Sequence, residues 1–96
     1  MVVGVCRLVL HLPENGSLKE KRQVVRSLLA RLQNQFHVAA AEVGDLDSWR
    51  FATLGVSCVS NDAAHANSIL SKVVAFVASS RLDAVLEEHQ IELITV

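Results

Sequence analysis

Val2-Val3-Gly4-Val5-Cys6-Arg7-Leu8-Val9-Leu10-His11-Leu12, closed by Pro13-Glu14-Asn15-Gly16 and followed by Ser17-Leu18-Lys19-Glu20, decides the topology of the chain. Val2 to Leu12 has the length and the Val and Leu content of a strand. Pro13 and Asn15-Gly16 end it in a turn. Ser17 and Glu20 stand in the S-x-x-E relation of a capping box, in which the hydroxyl accepts from one free backbone N–H and the carboxylate reaches back to another. A helix therefore starts at Ser17. Leu18, Val25, Leu28, Leu29, Leu32 and Phe36 fall on one stripe of it, while Lys19, Gln23, Arg26, Arg31, Gln33 and Asn34 point elsewhere. The helix is amphipathic and runs for about five turns.

Outward from this unit, His37 to Val43 reads as a second strand, Gly44-Asp45-Leu46-Asp47-Ser48 as a turn, and Phe51 to Ser60 as the other arm of a hairpin. Ser60-Asn61-Asp62 offers an N-cap to a second helix, in which Ala66, Ile69, Leu70, Val73, Val74 and Val77 recur at helical spacing up to about Ser80. Ala84 to Val96 ends in the strand-like Ile91, Leu93 and Ile94, although Leu86-Glu87-Glu88-His89 fits neither period. The order βαββαβ predicts an α+β, ferredoxin-like two-layer sandwich: a four-stranded antiparallel sheet with both helices on one face. Right-handed crossovers put strands one and three in the centre. Residues 1–96 form a single domain in this reading.

The chain has 96 residues, 51% of them hydrophobic and 20% charged, with 4 Gly and 1 Pro, which excludes disordered and low-complexity classes. A net charge of -1 gives no global attraction to nucleic acid or acidic membrane, so any polyanion must be met by a local patch. No apolar run is long enough to span a bilayer, and Met1 to Val5 lacks a basic leader, so a cytoplasmic protein without membrane contact is expected. Cys6 and Cys58 have no CxxC spacing and no flanking His, and read as small buried hydrophobes. His11, His37, His65 and His89 are scattered, so no metal is expected. G-x-S-x-G, P-loop and G-x-G-x-x-G signatures are all missing. Neither an enzymatic activity nor a cofactor is expected.

The run Ser17 to Leu28, with Phe36-His37-Val38-Ala39, Ala41-Glu42-Val43, Asp47-Ser48-Trp49 and Leu54-Gly55-Val56, resembles the YlxP-like family of small bacterial proteins. The resemblance is specific through residues 17 to 56, and the second helix and tail match only in character. It implies a ferredoxin-like domain without assigned catalysis, frequently encoded beside translation and ribosome-maturation genes.

Two surfaces invite a function. The end of strand one, the start of helix one and the hairpin tip converge on one edge of the sheet. Lys19, Lys21 and Arg22 meet Asp45, Asp47 and Trp49 there, with Arg26 one turn on. Cations are unfavourable at a helix N-terminus, which already carries partial positive charge. Either Glu42, Asp45 and Asp47 form ion pairs that hold loop to helix, or an RNA phosphate rests on the N–H groups near Ser17 and Lys19 with Trp49 stacking on a base. Glu42, in an otherwise apolar strand, needs a partner if it points inward, and Arg22 or Arg26 could reach it. The second surface is the sheet face away from the helices. There Val3, Val5, Val9, Phe51 and Val59 display only one aromatic ring, too few for a base-stacking platform and better suited to covering by protein. The leading expectation is an accessory protein of translation or ribosome assembly that binds RNA or a ribosomal protein through the basic edge. The alternative is an oligomerisation or protein-interaction module, with a homodimer through the bare face.

Overall fold

The computed structural model describes residues 1–80 and 84–96. Six elements follow in order: β1 (Val2–His11), α1 (Leu18–Phe36), β2 (Ala39–Gly44), β3 (Phe51–Ser60), α2 (Ala63–Ser79) and β4 (Val85–Thr95). The strands form one sheet in the order β2-β3-β1-β4, and β1 pairs antiparallel with both β3 and β4. The architecture is the ferredoxin-like α+β sandwich that the pattern predicts, with strands one and three in the centre.

Each helix begins where its cap is supplied. Ser17 Oγ accepts from the N–H of Glu20 at 3.1 Å, and Glu20 Oε2 accepts from Gly16 N at 3.2 Å, a reciprocal closure that spends the local donors. Asp62 caps α2 by accepting from Ala64 N at 3.2 Å. Helix α1 ends at His37, which adopts a left-handed φ of 53° and donates its N–H to Gln33 O. For that reason β2 starts at Ala39 and not at His37.

Both helices cover one sheet face. Cys6, Leu8, Leu10, Leu54 and Val56 lie beneath Val25, Leu28 and Leu32 of α1 and Leu70, Val73 and Val77 of α2, and all are buried. Phe36 and Phe76 meet edge to face at 5.5 Å between the helices. Cys6 stands across from Val56 and Cys58 across from Gly4, so the thiols are diagonal neighbours on this covered face. Both are free and buried, and burial pushes the Cys6 thiol up to about 11.

Strand β4 carries the irregularity that obscured its start. Leu86 pairs with Leu10 and Glu88 with Val9, so Glu87 is the extra residue of a bulge. Beyond the bulge β4 continues along β1 to the last residue, where Val96 N donates to Met1 O at 2.8 Å. Among the described residues no helix is long and apolar enough to cross a membrane.

Candidate interaction surfaces

The edge where β1, α1 and the β2–β3 hairpin converge is held by one buried lysine. Lys21 has no exposed surface. It sits on the inward stripe of α1 with Val25, Leu28 and Leu32. Its ammonium donates to Asp45 O at 2.7 Å, Phe51 O at 3.1 Å and Leu46 O at 3.4 Å. Three carbonyls therefore take the three N–H groups. Glu42 Oε2 lies 2.9 Å away without an aligned hydrogen bond, and is held by charge alone.

Several expectations change here. Lys21 is not a surface cation, because the hairpin main chain surrounds its head. Glu42 finds its partner in Lys21 and not in Arg22 or Arg26, both of which are exposed. Asp45 contributes a backbone carbonyl to Lys21, while its side chain accepts from Thr53 Oγ1 at 2.7 Å. Asp47 makes no ion pair among the described residues. Ser17 is committed to the helix cap. Asn15, which the sequence marked only as a turn residue, joins the pieces: its Nδ2 donates to Ser17 O at 2.7 Å and Trp49 O at 2.6 Å. Trp49 is thereby fixed through its carbonyl, while the residue is 55% exposed. Lys19, Arg22 and Arg26 remain on the outer side of α1, lining a shallow groove with Gln23.

Among the described residues no helix lies over the opposite face of the sheet. Antiparallel partners share a face, so the registers place Val3, Val5, Arg7, Val9 and His11 of β1 beside Val59, Ser57, Gly55, Thr53 and Phe51 of β3. On the other flank of β1 stand Ile94, Glu92, Gln90, Glu88 and Val85. Val3, Val5 and Val9 are half-buried by their neighbours, whereas Val59, Val43 and Phe51 are 66%, 58% and 42% exposed. Phe51 stacks on the His11 ring at 4.7 Å, a pairing the sequence did not announce. Val43 leans over Gly55, where a Cβ would meet it at 3.0 Å. Next to it the face sinks into a depression of about 280 Å3 lined by Val5, Arg7, Val43, Gly55, Gln90 and Glu92. Arg7 is held by Glu88 at 2.9 Å, and His11 Nδ1 lies 3.5 Å from Glu87. Among the described residues no group of three His, Cys, Asp or Glu side chains is placed to hold a metal ion.

The family described as "Protein of unknown function (DUF503)" matches residues 3–91. The chain belongs to that family. The uncharacterized protein YlxP of Bacillus subtilis (strain 168) is 36% identical over 74 residues, covering 77% of this chain and 78% of the relative. This agrees with the YlxP-like resemblance carried by residues 17 to 56, and the DUF503 match takes in the basic edge and both central strands of the sheet. Among solved structures the chain resembles SnoaB, a cofactor-independent oxygenase from Streptomyces nogalater solved as a point mutant. The identity is 19%, with 99% of this chain and 91% of that one covered, at a TM-score of 0.44. At that degree of likeness the oxygenase's chemistry says nothing about this DUF503 chain.

Proposed function

We infer that the chain is a non-catalytic cytoplasmic accessory protein that docks another protein on its uncovered sheet face. The YlxP-like residues suggest translation or ribosome assembly as its setting. The observation that carries this reading is the apolar set on the uncovered face of the two central strands, with Val3, Val5 and Val9 of β1 half-buried and Val59 and Phe51 of β3 66% and 42% exposed. Isolated exposed apolar residues are ordinary, but a contiguous set on one face is a common mark of an interaction site. The basic edge is the weaker candidate, because its most central cation, Lys21, is spent on the hairpin.

A photo-crosslinking amino acid placed at Val9, and as a control at Ser27 on α1, tests the assignment. The reading expects a discrete protein adduct from Val9 that survives nuclease and disappears when Val5→Asp is added. Adducts formed equally from Ser27, or unaffected by Val5→Asp, contradict it.

A second reading, RNA binding, keeps support from one observation: Lys19, Arg22 and Arg26 make no ion pair among the described residues, and the exposed Trp49 stands on the same edge. Binding there would weaken steeply with salt. Substituting Lys19 and Arg22 by Glu without changing RNA co-sedimentation eliminates it.

A further inference from the structure

The charges of the molecule are segregated between its two faces. On the outer side of α1, Lys19, Arg22, Arg26 and Arg31 are exposed with Glu20 as the only acid of the helix. On the uncovered sheet face the balance is reversed. Glu87, Glu88 and Glu92 reach it from β4, and Arg7 is the one Lys or Arg on it among the described residues. Among the described residues the surplus is two carboxylates. Arg7 is already paired with Glu88, whereas Glu92 has no ion-pair partner among the described residues and lines the depression beside Val5 and Gly55.

The placement is regular as well as acidic. Glu92 stands directly across from Val5 and Glu88 across from Val9, so two apolar positions of the central strand each have a carboxylate at their flank. Four strand residues separate these carboxylates by about 13 Å, roughly the rise of nine helical residues. Two copies facing one another through this surface would each bring the same acidic surplus, and like charges meeting across an interface oppose association. RNA would be repelled for the same reason. A cationic apolar chain meets no such opposition.

We propose that the occupant of the uncovered sheet face is a basic amphipathic segment of another protein. Its apolar side rests on Val3, Val5 and Val9, and its lysines or arginines meet Glu92 and share the exposed Glu88 with Arg7. This rests on the reading of that face as a docking surface and adds the chemistry of the partner.

Two synthetic amphipathic helical peptides of equal length and identical leucine spacing, one with lysine and one with glutamate at the polar positions, provide the test. Each is titrated into the full chain and followed by backbone amide NMR. The lysine peptide is expected to shift the amides of β1 and β4, to bind about tenfold or more tightly than the glutamate peptide, and to weaken at high salt. In the folded double variant E88K/E92K the preference reverses. Equal binding of both peptides at the sheet overturns the cationic partner and leaves the docking surface standing, the glutamates then serving to protect the β4 edge from strand addition. Failure of both peptides to perturb the sheet overturns the docking reading and this one together. Self-association that shields the β1 amides makes a second copy the occupant and also overturns the proposal.

Discussion

Lys21 Nζ lies 2.7 Å from the backbone oxygen of Asp45, so α1 grips the hairpin tip by its main chain and not by its aspartates. A main-chain clamp of this kind fixes where β2 ends and β3 begins. It thereby holds Val43 and Phe51, one on either arm, at the rim of the uncovered face.

Lys21→Met is expected to destabilise the fold by about 3 to 5 kcal/mol, because it leaves Glu42 without its counter-charge and removes the donor to three carbonyls. Glu42→Gln is expected to cost much less, about 1 kcal/mol, since the ammonium keeps those carbonyls. Urea unfolding of both variants measures the contrast. Equal losses would show that the charge pair, and not the carbonyl cage, carries the stability.

Asn15→Ala removes two side-chain hydrogen bonds at once, to Ser17 O and Trp49 O. A loss of about 1 to 2 kcal/mol is expected, together with a change in the fluorescence of the single tryptophan. An unchanged melting curve would mean that the hairpin tip does not depend on this bridge.

The fold was legible because its signals were local: the capping box at Ser17, the Asp62 cap, and the alternation of Val and Leu along β1 each decide an element without tertiary help. The start of β4 was not. Leu86 and Ile91 both pack against the core, five residues apart, a spacing that no regular strand allows and that the bulge at Glu87 supplies. Lys21 was misjudged from its chemistry although its register was plain, four residues before Val25 and seven before Leu28 on the apolar stripe. The acidic Glu42 in an apolar strand was the available cue that a buried cation was needed. The His11–Phe51 stack and the Asn15 bridge depend on the β1–β3 register and loop geometry, which single-chain periodicity does not encode.

Gly4 is required by close approach of β1 to α2. A Cβ there would meet Leu70 Cδ1 at 2.8 Å and Cys58 Sγ at 3.2 Å, and Leu70 is itself fully buried. Gly4→Ala is expected to cost about 1 to 3 kcal/mol by overpacking. Gly16→Ala, whose Cβ would meet nothing closer than Glu20 Oε2 at 3.9 Å, serves as the tolerated control. Thermal melts that rank them the other way would contradict the packing.

Cys6 sets a pH dependence with a definite sign. Its thiol is raised from 9.0 to about 11 in the folded chain, so between those values the unfolded state has lost a proton that the native state keeps. The stabilisation is complete below pH 9.0 and declines as pH rises towards about 11, by roughly 1.4 kcal/mol per unit. Cys6→Ala is expected to flatten that alkaline decline. An identical decline in the variant would place its origin elsewhere.

The uncovered sheet face is tested most directly by thiol labelling of Val59→Cys in lysate of the protein's own host cells, compared with the purified protein. Native Cys6 and Cys58 are buried and give a low background, and Ser27→Cys on α1 reports general access. Docking of a partner predicts rapid maleimide labelling of Val59→Cys when pure and marked protection in lysate, with Ser27→Cys equally reactive in both. Equal labelling of Val59→Cys under the two conditions would contradict the account.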